Sequence, residues 1–151
     1  MHLTGTISSV LSLKQSPNLV WTISPDATVF EAIKLLSDKN VGALLVMEGD
    51  KLVGIISERD YTRKVALLGR SSKETRVREI ISTTLITVSP HQTVEECMRL
   101  MTEHRVRHLP VVENGKVVGI ISIGDLVNWI IKAQSHIIQQ MENYIQGRYI
   151  A

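Results

Sequence analysis

The sequence predicts an α/β protein of the α+β kind, two tandem β-α-β-β-α units followed by a long C-terminal helix. Three observations lead there. Sliding the chain by 65 positions superimposes, with no gap, Ser24-Pro25 on Ser89-Pro90, Thr28-Val29 on Thr93-Val94, Glu31 on Glu96, Leu44 on Leu109 and Val53-Gly54 on Val118-Gly119. A match of that length marks a duplicated structural unit. The stretch Gly54-Ile55-Ile56-Ser57-Glu58-Arg59-Asp60 returns as Gly119-Ile120-Ile121-Ser122-Ile123-Gly124-Asp125, each an apolar strand running into a serine and then an aspartate at the mouth of a helix. Beyond Asp125, Val127, Ile130, Ile131, Ile137, Ile138, Met141, Tyr144 and Ile145 form one broad helical face.

The elements follow in order. Ile7, Val10, Leu11 and Leu13 predict a short helix, and Lys14-Gln15-Ser16-Pro17-Asn18 a loop. A strand is expected over 19–23, stopped by Ser24-Pro25-Asp26. Thr28-Val29-Phe30-Glu31 and Thr93-Val94-Glu95-Glu96 have the capping-box spacing, in which hydroxyl and carboxylate satisfy each other's exposed backbone N–H groups. Behind them Val29, Ala32, Ile33 and Leu36, and Val94, Cys97, Met98 and Met101, fall at helical intervals. Strands over 41–47 and 52–57 flank a turn at 48–51, and strands over 106–112 and 117–122 flank Glu113-Asn114-Gly115-Lys116. Asn-Gly between β-branched runs signals a hairpin, because both central turn residues take positive φ. A helix from Asp60 to Leu68 ends at Gly69, and 70–76 reads as an exposed connection. The division is therefore 8–69 for the first unit, 70–76 for the linker, 77–132 for the second unit and 133–151 for a helical extension.

Composition narrows the function. The 151 residues are 44% hydrophobic but only 4% aromatic, so the core is aliphatic. A net charge of +2 is too small to imply nucleic acid or an anionic membrane as partner. The single cysteine, Cys97, excludes an intramolecular disulfide and fits a reducing compartment. No apolar run approaches the roughly 20 residues that span a bilayer, and the start, Met1-His2-Leu3-Thr4, lacks a basic region followed by an apolar one. These features predict a cytoplasmic protein. Cys97 stands where the first copy has Ala32, a core position. His2, His91, His104, His108 and His136 have no metal-ligand spacing, and neither a Gly-x-x-x-x-Gly-Lys-Ser loop nor a Gly-x-Ser-x-Gly turn is present. No catalytic constellation and no metal site are expected.

A tandem β-α-β-β-α unit closing on Gly-x-Ile-Ser-x-x-Asp resembles the CBS domain pair, or Bateman module, over roughly residues 8–132. Val-Arg-Glu-Ile-Ile-Ser at 77–82, Thr-Val-Ser-Pro at 87–90 and Val-Arg-His-Leu-Pro-Val-Val at 106–112 strengthen the likeness. The resemblance implies two units packed through their sheets about a pseudo-twofold axis, with two clefts for an adenosine-containing ligand: AMP, ADP, ATP, NAD or S-adenosylmethionine. No obligatory cofactor is implied. Carried over by position, the first cleft uses Ser57, Arg59 and Asp60 with Thr84, Leu85, Ile86, Val106, Arg107 and His108. The second uses Ser122 and Asp125 with Ser16, Val20, Trp21, Val41, Gly42 and Ala43.

The residue chemistry suits that role. A carboxylate accepts only, which matches the paired hydroxyls of a ribose, and a serine at a helix start offers a hydroxyl beside unpaired N–H groups. Where the second copy has Arg107-His108 the first has Gly42-Ala43, so a fixed positive partner for phosphate is expected in the first cleft only. One phosphate per Arg107-His108 pair favours AMP, while a dinucleotide would extend along Arg59 and Lys64. Without the resemblance, an aspartate after a strand is simply a helix N-cap, and the two roles are compatible. Val127, Ile131, Gln134, Ile138, Met141 and Ile145 alternate by four and three like a two-helix seam, while Ile130, Ile137 and Tyr144 widen the stripe; the helix packs either on its own module or on another subunit, and the second reading predicts a homodimer. The leading expectation is a non-enzymatic sensor acting in trans on a separate regulated protein. The competing classes are a constitutive interaction scaffold with vestigial clefts and a nucleic-acid binder using Arg70, Lys73, Arg76 and Arg78, the latter disfavoured by the small net charge.

Overall fold

Threonine caps set the helices. In the computed structural model of the protein, which describes residues 5–14, 20–81 and 84–145, the order is α1 (Ile7–Leu13), β1 (Thr22–Ile23), α2 (Val29–Lys39), β2 (Ala43–Glu48), β3 (Lys51–Ser57), α3 (Glu58–Tyr61), α4 (Val94–His104), β4 (His108–Glu113), β5 (Lys116–Ser122) and α5 (Ile123–Ile145). Thr28 accepts from the Glu31 N–H and Thr93 from the Glu96 N–H, both at 3.1 Å, so it is the threonine half of each expected capping box that opens α2 and α4. Thr6 does the same for α1 through Ser9. At the other ends Asn40 and Arg105 take left-handed backbone, with φ of 52° and 55°.

β1 pairs parallel with β2, and β2 pairs antiparallel with β3. β4 and β5 form a two-stranded sheet. Asn114 and Gly115 have φ of 53° and 76°, the paired positive values of a type I′ turn, whereas in the first hairpin Gly49 supplies the positive φ, at 62°.

The second copy lacks the leading strand expected of it. Residues 84–87 make no ladder, and Val88 makes a single bridge. In the first copy the Leu45 N–H donates to the Trp21 carbonyl at 3.1 Å. The position equivalent to Leu45 is Pro110, which has no N–H to give.

By contacts the chain forms two units, which do not coincide with the sequence repeats. The first comprises residues 18–87 and 110–119. Its core joins Val29, Ala32 and Leu36 of α2 to Leu44, Val46 and Ile56 of the sheet, closed by Val65, Val77 and Ile80. Gly54 is required by close approach: a Cβ there would lie 2.9 Å from Ile81 Cδ1 and 3.2 Å from Ile81 Cβ. Gly54→Ala is therefore expected to cost about 1–3 kcal/mol in urea denaturation, with partial recovery when Ile81→Val removes the nearer atom.

Residues 70–76 are not the wholly exposed connection expected. Thr75 is buried, and the Thr75 and Ser72 carbonyls accept from the Val29 and Phe30 N–H groups, satisfying orphan donors at the start of α2. The Arg76 N–H and the Arg70 guanidinium both donate to Glu79, holding its carboxyl below the usual range chiefly through the backbone bond.

The second unit comprises residues 1–17, 88–109 and 120–151. The segment before α1 serves α4 as 75–78 serves α2. Val94 N–H donates to the Gly5 carbonyl at 2.8 Å, Ile7 N–H to Gln92 at 2.9 Å and Ser8 N–H to Pro90 at 3.0 Å. In the first unit Val29 N–H donates to Thr75, Val77 N–H to Ala27 and Arg78 N–H to Pro25. Ile7 thus matches Val77 at a separation of 70, not 65. Ile7, Val10, Val94, Cys97, Met101, Leu109, Ile121 and Leu126 are buried, and the Trp129 ring lies against the Gly5 backbone where a side chain would stand. From residue 134 on, the described part of α5 is exposed except for half-buried Asn143.

Candidate functional site

β3 and β5 each end on a serine that turns the chain into a helix. Ser57 caps α3: its Oγ accepts from the Asp60 N–H at 3.2 Å, while Asp60 Oδ2 accepts from the Ser57 N–H at 2.9 Å and from its hydroxyl at 3.0 Å. Ser122 and Asp125 repeat this, at 2.9 Å for Ser122 N–H to Asp125 Oδ2 and 3.1 Å for Asp125 N–H to Ser122 Oγ. Both are complete two-way capping boxes, worth about 0.5–2 kcal/mol each. The serine is the cap and the aspartate stands three residues in, so α3 begins at Glu58 rather than at Asp60 as the sequence reading had it.

Each carboxylate also meets a lysine. After Asp60 the helix widens into a π-type stretch, Thr62–Ala66, which carries Lys64. Its Nζ donates to the Ile80 carbonyl at 2.8 Å and stands 3.5 Å from Asp60 Oδ1. In the second unit Lys14, just past α1, donates to the Ile120 carbonyl at 2.8 Å and stands 3.1 Å from Asp125 Oδ2. Lys14 and Asp125 are 27% and 23% exposed, partly screened from water and still reachable from it. Both carboxylates thus have a lysine counter-ion within their own unit. A carboxylate offers about four acceptor sites, so capping and one ion pair leave room for ribose hydroxyls.

Within the first unit, Ser57 lies opposite Ala43 and the Glu58 N–H donates to the Gly42 carbonyl at 3.2 Å, which brings Gly42, Ala43, Ser57 and Asp60 together. Val41 and Gly42 are half-buried and Ala43 is buried. Val20 and Trp21 lead into β1, and the Trp21 ring carries the Lys39 ammonium 4.3 Å from its centroid. Arg59 is half-buried in α3, Thr84 is exposed, and Leu85 and Ile86 are half-buried. Within the second unit the Ile123 N–H donates to the Arg107 carbonyl at 2.9 Å, so Arg107 borders the Ser122–Asp125 notch through its backbone. Arg107 is exposed, and Val106 and His108 are half-buried. Ser16 lies outside the described residues.

Sequence reasoning missed Lys14. Its signal was present in the second register, where Lys14 is the counterpart of Thr84, a candidate already chosen for the other copy. Among the described residues no three His, Cys, Asp or Glu side chains converge as metal ligands, and no helix is long and apolar enough to cross a membrane.

Cys97 is fully buried on α4, and that burial, with a smaller push from Glu96, raises its thiol to about 11. A neutral thiol is favoured in the fold, so the stabilisation is complete below the unfolded thiol's pKa of about 8.5 and is lost as pH rises toward 11. Denaturation midpoints are expected to fall between pH 8 and pH 10 by the equivalent of about 2 kcal/mol, and Cys97→Ala should remove that slope.

Comparison with known proteins agrees with this architecture. The CBS domain family matches the chain over residues 14–67 and again over 77–132. The CBS domain-containing protein CBSX3, mitochondrial, of Arabidopsis thaliana is 42% identical over 151 residues, covering 95% of this chain and 73% of the plant protein. A protein with CBS domains from Burkholderia ambifaria superimposes with a TM-score of 0.83 at 50% identity, covering 85% of this chain and 96% of that one. The CBS domain pair of protein MJ0100, solved with 5′-methylthioadenosine and S-adenosyl-L-methionine, shares the fold at a TM-score of 0.72 and 24% identity, covering 86% and 98%. With two matched repeats spanning most of its length, the chain belongs to the CBS domain family as a tandem CBS domain pair.

Proposed function

We propose that this CBS pair is a non-enzymatic sensor of an adenosine-containing nucleotide, AMP in the first place, that signals in trans to a separate regulated protein. The observation that carries the reading is the repeated notch itself, a serine, an acceptor carboxylate and a lysine at the end of β3 and again at the end of β5. Asp60 and Asp125 take ribose hydroxyls, Ser57 and Ser122 meet phosphate oxygens, and Arg59, Arg107 and His108 add positive charge. Adenine is held by apolar side chains and backbone groups near Val20, Trp21, Val41, Gly42 and Ala43 in one case and Thr84, Leu85, Ile86 and Val106 in the other. The repeats at 8–69 and 77–132 are the binding units, joined by 70–76. That MJ0100 holds two adenosine derivatives supports the ligand class.

Thermal denaturation with AMP, ADP, ATP, NAD and S-adenosylmethionine tests it. A ligand at a hundredfold excess over its Kd is expected to add about 2.7 kcal/mol. No shift with any of the five would leave the scaffold reading in its place.

The exposed stripe of α5 supports self-association. Ile131, Ile138, Met141 and Ile145 are 55%, 56%, 60% and 81% exposed, at the alternating spacing of a helix–helix seam. An identical helix of a second copy matches that spacing, so the sensor is a homodimer.

A further inference from the structure

From the lysine contacts we infer that Lys14 determines the specificity of the Ser122–Asp125 notch, making it select a phosphorylated nucleoside over the bare nucleoside. The inference rests on the nucleotide-binding reading and adds to it the identity of the phosphate-facing cation in the second unit.

Repeat symmetry does not account for this lysine. Lys64 reaches Asp60 from four residues further along its own helix, while the residue 65 positions after Lys64 is Trp129, whose ring packs on Gly5. The second copy has therefore given up the helical lysine. A lysine nevertheless reaches Asp125, this time from the end of α1, more than a hundred residues earlier in the chain. In both units the ammonium is pinned by a backbone carbonyl at 2.8 Å, Ile120 for Lys14 and Ile80 for Lys64. Two unrelated positions thus place the same charge beside equivalent carboxylates.

A capping aspartate at a helix start is already stabilised by the backbone N–H groups it faces and needs no lysine. A carboxylate that grips ribose has a different need, because a nucleotide brings its phosphate within a few ångströms of it. Without a counter-ion the two negative groups repel, and bare adenosine would be preferred. Lys14 cancels Asp125. An ammonium has three N–H donors, and the Ile120 carbonyl and Asp125 engage two of them, leaving the third for a phosphate oxygen with the pair intact.

The test is calorimetric titration of the full chain in an Asp60→Ala background, which isolates the second notch, using AMP and adenosine as separate ligands. Lys14→Gln is expected to weaken AMP about tenfold or more while leaving adenosine unchanged, and Lys14→Arg to keep the preference for AMP. Equal losses for both ligands, or no loss for either, would reduce Lys14 to a strap for α1 and overturn the inference. Should Lys14→Gln not fold, Lys14→Met takes its place as the charge-removing variant: a loss of AMP affinity without one of adenosine affinity supports the role, and equal losses or none remove it. Adenosine binding with no AMP preference in the Asp60→Ala parent sinks this inference only, whereas failure of the unmodified protein to bind either ligand sinks the sensor reading as well.

Discussion

Asp60→Asn and Asp125→Asn introduced together are expected to lower AMP affinity at least a hundredfold while leaving the fold close to its original stability. The amide keeps one carbonyl-type oxygen, which can still accept from the Ser57 or Ser122 N–H as Oδ2 does now at 2.9 Å. The second oxygen becomes an NH2 group, a donor where ribose hydroxyls need an acceptor, and the charge that pairs with Lys64 or Lys14 is gone. Hydrogen bonds to a charged group contribute about 1.5–3 kcal/mol each, and every 1.4 kcal/mol is tenfold in affinity. The alanine pair separates the two roles from the other direction: losing both capping boxes costs about 0.5–2 kcal/mol per helix in addition to losing the ligand. Calorimetry for binding and urea denaturation for stability check both halves. If the double asparagine variant held AMP with its original affinity, these aspartates would be caps and nothing more.

The sequence carried the paired elements well, because the features that encode them are local. Thr28 and Thr93 cap where their spacing to Glu31 and Glu96 says they should, and Asn114-Gly115 turns through two positive φ values. What depended on a distant partner was harder to read. The missing strand before α4 follows from Pro110, a residue already noted within the 106–112 motif, but its lost N–H matters only once its partner is known to be the counterpart of the Trp21 carbonyl. The 65-residue register hid the pairing of Ile7 with Val77, since five residues more separate the segments ahead of each repeat. Lys14 fell in that shifted region, and its partner Asp125 lies on the last helix, so the 65-residue register did not point to it.

Ending the chain after Lys132 is expected to convert a dimer into a monomer at micromolar concentration by sedimentation equilibrium, with AMP binding retained. α5 spans Ile123–Ile145, and its first turns are anchored by buried Leu126 and by Trp129 against Gly5. None of the described residues beyond Lys132 is buried, and helices shorter than about 12–15 residues are marginal in water on propensity alone. It also carries Ile137, Ile138, Met141, Tyr144 and Ile145 at 45–81% exposure, an apolar load that solvent does not stabilise. Ile137, Gln140, Met141, Tyr144 and Ile145 outline a shallow groove of about 270 Å³, into which a side chain of a facing helix can insert as a knob into a hole. Asp125 and Lys14 both precede the cut, so loss of the dimer need not disturb the second notch. Ile138→Glu combined with Met141→Glu in the full chain should have the same effect by placing charge in the seam, and a truncated protein that stayed dimeric would move the interface away from this helix.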